Sequence, residues 1–195
     1  MSSTESETRK RILETTWQLM EQQQGQGVRM SDIAQAVGIS RQALYLHFKS
    51  RTELLVATTR YGDEVRGLEE RMERCRAAPT GVEVMAAYID VWGNFIPEIY
   101  GIARALLVAK AEDAAAEAAW NDRMDVLRDC CRFTIEALQR DGSLAPEWSV
   151  KEATDYLWTM LSIQNWELLT RGCGWTNSQY VSWLQNIARR TFMSG

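Results

Sequence analysis

The chain has 195 residues and a mass of 22.3 kDa, enough for one domain or two closely packed ones. Its residues are 46% hydrophobic and 25% charged, a globular composition that excludes a disordered tail or a collagen-like fibre. No apolar run approaches the roughly 18 residues that a membrane span needs, and the first residues are polar with no apolar signal core. We therefore expect a cytoplasmic protein that does not associate with membranes.

The charge is distributed unevenly along the chain. The formal net charge is −4, so the whole molecule is not a general binder of polyanions. Residues 1–60 nevertheless carry 8 basic and 6 acidic side chains, whereas residues 61–195 carry 14 basic and 20 acidic ones. Any contact with nucleic acid is therefore predicted near the N-terminus.

The chemistry-bearing residues are too sparse to predict an enzyme or a metal site. The four cysteines form no CxxC pair, and His47 is the single histidine. A disulfide scaffold and a zinc site are thus unfavoured. The sequence has no glycine-rich phosphate loop, no nucleophile elbow and no carboxylate cluster with ligand spacing. We expect no catalytic residue, no metal and no cofactor.

The pattern of helix-forming residues predicts an all-α fold of about nine helices. Only three prolines interrupt the chain, and the stretches between them are rich in Ala, Leu, Glu, Arg and Gln. Glycine and proline punctuation, including Gly25, Gly27, Gly38 and Pro97, sets the expected helix ends. The predicted helices are 7–24, 31–38, 41–48, 50–76, 82–95, 98–109, 112–140, 147–170 and 176–192.

Residues 30–49 have the pattern of a helix-turn-helix. Two short helices that meet at a tight turn need a small residue where they cross and a glycine at the turn, which Ala34 and Gly38 supply. Apolar residues are spaced so that the two helices pack together: Ile33, Val37, Ile39, Leu44 and Phe48. The alternative interpretation is that these helices form only a structural scaffold.

The second of these helices presents a polar, cationic and aromatic face that suits DNA. Arg41 and Gln42, at its N-terminus, are the candidates for contacts with base edges, since arginine pairs with guanine and glutamine with adenine. Nearby hydroxyl, imidazole and ammonium groups are predicted to contact phosphates and so to position the protein on DNA. These residues are Ser31, Ser40, Tyr45, His47 and Lys49, and Arg29 is a further DNA-binding candidate. His47 lies nearer the packed side and is equally compatible with a structural role.

Several motifs in this region resemble the TetR family of transcriptional regulators. They are Thr8-Arg9 with Ile12-Leu13, Ser31-Asp32-Ile33-Ala34, Gly38-Ile39-Ser40, Ala43-Leu44-Tyr45-Leu46-His47-Phe48 and Ser50-Arg51-Thr52-Glu53-Leu54-Leu55. The resemblance covers about residues 7–67 and implies a DNA-binding domain joined by a long helix to a helical ligand-binding and dimerisation domain at 68–195. It further implies that the last two long helices, about 147–170 and 176–192, pair with those of a second copy.

The apolar faces of these two helices are wide enough for such pairing, although burial within one chain would also explain them. A two-fold dimer would present two recognition helices about 34 Å apart and would read a palindrome in double-stranded DNA. The family's usual mode then implies a repressor that leaves its operator when a small molecule binds the C-terminal domain. The alternative is a regulator that acts through a protein partner or DNA architecture without a small effector.

Aromatic residues in the C-terminal region are candidates for the walls of an effector pocket, because flat apolar ligands favour such walls. Eight tryptophans in one chain are many, although a tryptophan at helical spacing is commonly a core residue. The predicted ligand-binding residues are Tyr88, Trp92, Phe95, Tyr100, Arg104, Trp120, Trp158, Asn165 and Trp166. They favour an apolar or aromatic effector of unknown identity.

Overall fold

The computed structural model describes residues 3–23 and 28–193, and within these ranges the protein is built from α-helices. The helices are α1 (Ser3–Gln23), α2 (Met30–Val37), α3 (Arg41–His47), α4 (Arg51–Val65), α5 (Leu68–Arg76), α6 (Gly81–Ala109), α7 (Ala114–Arg140), α8 (Val150–Met160), α9 (Ile163–Glu167) and α10 (Asn177–Phe192). A π-helical turn, Leu168–Gly172, continues α9. The predicted all-α class is confirmed. The expected glycine stop at Gly25 and Gly27 lies outside the described residues.

Over the described ranges, extended pairing amounts to one isolated antiparallel bridge between Leu144 and Met193. No helix there is both long and apolar enough to cross a membrane.

Hydroxyl side chains start several of the helices. The Oγ atom of Ser40 accepts a hydrogen bond from the Ala43 amide at 3.0 Å and so caps α3. At α8, Ser149 and Glu152 form a reciprocal capping box. Thr176 and Gln179 do the same at α10. The caps at Ser40 and Thr176 lie where the sequence predicts a helix to begin, whereas α8 begins at Val150, after the predicted start at 147.

Two interruptions divide stretches that the sequence predicts as single helices. Gly67 adopts a left-handed conformation with φ 63°, so the helical stretch predicted at 50–76 is interrupted between α4 and α5. In the stretch predicted at 147–170, α8 ends at Met160, and the Ser162 hydroxyl caps α9 by accepting from the Asn165 amide at 3.4 Å. Both interruptions are set by local backbone geometry that helical periodicity does not reveal.

Pro97 does not interrupt α6, although the sequence predicts two helices that meet there. Proline removes a backbone hydrogen bond, which costs about 3 kcal/mol in a helix interior. The side chains on either side of it are buried, Phe95 and Ile96 before it and Tyr100 and Ile102 after it. The burial of four large side chains outweighs the lost hydrogen bond, since each contributes roughly 1.5–3 kcal/mol.

The chain divides into two compact units, one of Met1–Arg66 with Ile99–Met124 and the other of Gly67–Glu98 with Asp125–Gly195. The assignment of domains to residues 7–67 and 68–195 stays a prediction; residues 99–124 group with the N-terminal residues. In the first unit, α1 packs on α2 and α4, and α2 packs on α3. Its most deeply buried side chains are those of Ile12, Ile33, Leu44, Phe48, Leu54 and Leu55.

The second unit has its own core. Ile89 and Phe95 of α6 are buried, as is Leu138 of α7. The later helices contribute Leu157 and Tyr180, both fully buried. The Ala145 amide donates a hydrogen bond to the Phe192 carbonyl at 2.9 Å and so connects the loop before α8 to the end of α10.

Candidate functional site

The turn between α2 and α3 is held by the backbone itself. Gly38 adopts φ 78°, a left-handed conformation in which side chains other than glycine are strained. Its amide and that of Ile39 both donate to the carbonyl of Ala34, at 3.0 Å in each case. This is a C-terminal helix cap of the Schellman kind, and it turns the chain sharply enough for α3 to begin at Arg41.

Buried apolar residues fix the rotation of α3 about its own axis. Leu44 and Phe48 are fully buried within the first unit. The guanidinium of Arg9 stacks over the Phe48 ring at 4.0 Å, and its Nη1 donates to the carbonyl of His47 at 2.8 Å. Because these contacts hold one side of α3 against the core, the opposite side faces solvent.

The predicted DNA-contact residues lie on that exposed side, with one exception. Seven of the eight are exposed: Arg29, Ser31, Ser40, Arg41, Gln42, Tyr45 and Lys49. His47 is half-buried, and its carbonyl is held by Arg9. The structure therefore brings the set together along α3 and the starts of α2 and α3.

Arg41 and Tyr45 lie one turn apart on α3 and interact with one another. The Arg41 guanidinium lies 5.7 Å from the centre of the Tyr45 ring, so the ring helps to orient the cation. Arg41 thus remains exposed but is less free to move than an isolated surface arginine. A preoriented arginine loses less conformational entropy when it binds a base edge.

Residues 28–51 carry four basic side chains and one acidic side chain, but not all four cations are exposed. Arg51, which adds to the positive charge of residues 28–51, is half-buried and donates to the Val28 carbonyl at 2.5 Å and to Asp113 at 2.6 Å. Its guanidinium is engaged in holding the first unit together. The exposed cations of this segment are Arg29, Arg41 and Lys49.

One residue on the exposed side of α3 was not among the predicted DNA-contact residues. Leu46 is 84% exposed, the highest value among the large hydrophobic side chains of the described residues. Its position was readable from the sequence, because Leu46 lies two residues from each of the buried Leu44 and Phe48.

The predicted effector residues are divided between the two units. Tyr88, Trp92, Phe95, Trp158, Asn165 and Trp166 belong to the second unit, and Tyr100, Arg104 and Trp120 to the first. Six of the nine are buried: Tyr88, Trp92, Phe95, Tyr100, Trp120 and Trp166. Trp158 is half-buried, and Arg104 and Asn165 are exposed. The predicted set is therefore not brought together within one unit.

Within the second unit, aromatic side chains of α6 lie close together. The rings of Trp92 and Phe95 are 6.3 Å apart, and the Trp92 indole donates to the Leu161 carbonyl at 2.7 Å. The Tyr88 hydroxyl donates to the Leu127 carbonyl at 3.4 Å, and burial raises its pKa well above the usual range. The polar atoms of Tyr88 and Trp92 are thus satisfied by the protein backbone.

Two further polar groups in this unit have no such partner. The Tyr180 hydroxyl and the Thr154 hydroxyl are buried without a hydrogen-bonding partner. Burial also raises the pKa of Tyr180. The Tyr180 ring lies beside α6, close to Gly93. An unsatisfied buried hydroxyl costs about 1–3 kcal/mol, so such groups are uncommon in folded proteins. Tyr180 was not among the predicted ligand-binding residues.

An apolar groove of about 620 Å³ runs along the later helices of the second unit. Its lining includes Tyr156 and Met160 of α8, Leu168 of the π-helical turn, and Trp183 and Ile187 of α10. Tyr156, Leu168 and Trp183 are 47%, 64% and 41% exposed. Large apolar side chains exposed together on one groove are of the kind that marks interaction sites.

The geometry of α2 and α3, a buried anchoring side and an exposed cationic side, defines the first unit as a helix-turn-helix DNA-binding module. Residues 12–58 match the sequence profile of the bacterial regulatory proteins of the tetR family. No curated protein matches the sequence. The profile match identifies residues 12–58 as similar to the DNA-binding domain of that family.

Solved structures share the fold over nearly the whole chain. A protein described as a transcriptional regulator from Saccharomonospora viridis, in complex with choline, superposes with a TM-score of 0.75 at 19% identity, covering 97% of this chain and 100% of that chain. A TetR-family regulator from Rhodococcus sp. gives 0.75 at 20% identity, with the same coverage. The regulator FadR from Bacillus subtilis, in complex with stearoyl-CoA, gives 0.72 at 13% identity and covers 91% and 96%. At these identities the likeness is one of fold.

Proposed function

We propose that this protein is a sequence-specific repressor that binds a palindromic operator as a homodimer and leaves it when a small effector binds the C-terminal region. The observation that carries the DNA-binding part is the orientation of α3. Leu44 and Phe48 are fully buried, and Arg41, Gln42, Tyr45 and Lys49 are exposed on the other side. A recognition helix must present such a side to the major groove. The site of action is then the cytoplasm, where bacterial DNA lies.

The roles of the contact residues follow from their chemistry. Arg41 and Gln42 are proposed to read base edges, because they lie in the first turn of α3, where a recognition helix meets the bases. The phosphate contacts are assigned to Arg29, Ser31, Ser40, Tyr45 and Lys49. His47 is assigned a packing role, because it is half-buried and its carbonyl accepts from Arg9.

The homodimer is proposed to form through α8, α9 and α10. The groove lined by Tyr156, Met160, Leu168, Trp183 and Ile187 exposes large apolar side chains that water solvates poorly. A second copy supplies a matching apolar surface under two-fold symmetry, because the same patch then meets itself. Tryptophan at the centre of such a patch is a typical anchor, which gives Trp183 the main part of the binding energy.

The effector is proposed to be an apolar or aromatic molecule that also carries a hydrogen-bond acceptor. The unpartnered Tyr180 hydroxyl supports the acceptor, because a bound carbonyl, carboxylate or ether oxygen would satisfy it. The buried Tyr88, Trp92 and Phe95 supply the aromatic surroundings in the same unit. Two proteins of this fold were solved with choline and with stearoyl-CoA, so the fold accommodates ligands of very different size.

The proposal requires the effector to prefer the dimer that does not bind DNA. A preference of about 1–3 kcal/mol would weaken operator affinity by roughly 5–150-fold. The readout is therefore a change in DNA affinity, and no catalytic step is involved.

The DNA-binding proposal is tested by incubating the protein with fragmented genomic DNA of its source and sequencing what is retained at moderate salt. Nonspecific phosphate binding fades under these conditions, whereas specific binding persists. We expect a short palindrome to be enriched and Arg41→Ala to abolish the enrichment. Arg76→Ala, which removes an exposed cation from α5, is the matched control. Equal retention of all fragments by wild type and Arg41→Ala would refute the proposal.

A further inference from the structure

Leu46 is an exposed leucine whose apolar side chain does not contribute to the stability of the fold. It is 84% exposed on α3, so its side chain gains almost none of the roughly 1.5–3 kcal/mol that burial of a leucine contributes. The contacts that hold α3 come from Leu44, Phe48 and Arg9. Nothing in the stability of the helix therefore requires an apolar side chain at position 46.

The surroundings of Leu46 favour a polyanion over an apolar protein surface. Gln42 precedes it by four residues and so lies on the same face of α3. Arg41 and Lys49 lie to either side along the chain, and all three are exposed. A protein partner that buried Leu46 would also have to desolvate these polar and cationic groups, whereas DNA offers them phosphates and base edges.

The major groove of DNA offers one apolar group that such a side chain can contact. Base edges there carry hydrogen-bond donors and acceptors, and the C5-methyl group of thymine is the exception. We propose that Leu46 is a specificity-determining residue that contacts a thymine methyl in each half-site of the operator. This inference rests on the proposed DNA-binding function and adds to it the identity of one base.

The position of that thymine follows from helix geometry. Residues 42 and 46 are separated by about 6 Å along the axis of α3, at 1.5 Å per residue. Successive base pairs are about 3.4 Å apart. The thymine is therefore one or two base pairs away from the base that Gln42 contacts.

The test uses uracil, which differs from thymine in the major groove only by the missing methyl. A duplex enriched from a random-sequence library by the full-length protein is synthesised again with each thymine replaced in turn by uracil. Loss of one buried methyl contact corresponds to weaker binding, with a dissociation constant about fourfold larger. For the wild type, we expect this decrease in affinity when uracil replaces one particular thymine in each half-site. Leu46→Ala is expected to bind the thymine and uracil duplexes equally.

Tyr45→Ala is the matched control, because Tyr45 is the exposed neighbour assigned to phosphate. It should weaken binding to both duplexes by the same factor and keep the fourfold ratio. A wild type that shows no thymine preference at any position, or a Leu46→Ala variant that keeps the ratio, would overturn the inference while leaving DNA binding intact. If no sequence is enriched from the library, the proposed function fails and this inference fails with it.

Discussion

Arg51 and Asp113, 62 positions apart in the chain, form an ion pair with an Nη1–Oδ1 distance of 2.6 Å within the first unit. Each partner has a second task. Arg51 donates through Nε to the carbonyl of Val28, just before α2 begins. Asp113 accepts from the amides of Ala115 and Ala116 and so caps α7. The pair therefore connects the start of the helix-turn-helix, the first turn of α4 and the first turn of α7.

This pair predicts a specific pH dependence of stability. The hydrogen bond from Arg51 lowers the pKa of Asp113, and the two backbone amides act in the same direction against the effect of burial. Because the folded-state pKa lies below that of the unfolded chain, the ionised carboxylate contributes stability above about pH 4 and loses it as the pH falls through the folded-state pKa.

Asp113→Asn should therefore reduce the free energy of unfolding by about 2 kcal/mol at pH 7, with the difference from wild type shrinking below about pH 4. Asparagine still caps the helix, so the change isolates the charge. Urea unfolding followed by circular dichroism at several pH values measures the difference in the free energy of unfolding between the variant and the wild type. Arg51→Gln should give a similar loss, and the double variant should lose less than the sum. A difference that stays constant down to pH 2 would contradict the assignment.

Gly62 of α4 is predicted to be essential for the packing of α1 on α4. A methyl group built at Gly62 would lie 1.8 Å from a ring carbon of the buried Trp17. The Arg66 guanidinium, one turn further along the chain, also stacks over this ring at 4.0 Å from its centre and so limits the movement of the indole. Gly62→Ala should reduce the free energy of unfolding by about 1–3 kcal/mol, because overpacking outweighs the better helix propensity of alanine.

Gly101→Ala provides the matched control in the same unit. Its added methyl would meet the Glu21 side chain at 3.1 Å, and the exposed carboxylate of Glu21 can move away. The higher helix propensity of alanine should then leave stability unchanged or increase it by up to about 1 kcal/mol. Thermal unfolding of the two variants under the same conditions separates the predictions. Equal changes in stability for the two variants would show that the Trp17 side chain moves aside more readily than its packing indicates.

Trp183 is predicted to anchor the homodimer. Truncation of a central interface tryptophan commonly costs about 2–4 kcal/mol, so Trp183→Ala should weaken dimerisation by roughly 30–1,000-fold. Sedimentation at micromolar concentrations should then detect monomers. Val126→Ala, which shortens another exposed apolar side chain in the second unit, should leave the dimer unchanged. A wild type that is monomeric at micromolar concentration would contradict the proposed interface.

The unpartnered hydroxyl of Tyr180 predicts an unusual stability change. Tyr180→Phe removes a buried oxygen that has no hydrogen-bonding partner, so it should raise the free energy of unfolding by about 1 kcal/mol in the absence of effector. The same variant should bind an effector more weakly if the hydroxyl donates to it. Tyr88→Phe is the contrasting variant, because its hydroxyl does have an acceptor. A loss of stability in Tyr180→Phe would show that the hydroxyl has a partner in solution.

Local signals in the sequence were sufficient to predict the helix-turn-helix. The cap at Ser40, the left-handed turn at Gly38 and the inward spacing of Leu44 and Phe48 all act over a few residues. Their effects can be derived from short-range geometry, and the exposed side of α3 follows from the buried one. The capped start of α10 was predictable for the same reason.

Tertiary packing decided the features that depend on distant residues. The burial of side chains on both sides of Pro97 keeps α6 continuous, which no local rule about proline anticipates. The grouping of residues 99–124 with the N-terminal unit, the pairing of Arg51 with Asp113 and the missing partner of Tyr180 likewise depend on which segments meet. Amino-acid pattern determines the helices because capping and periodicity are local. Which polar groups find partners is decided only when residues far apart in the chain are packed together.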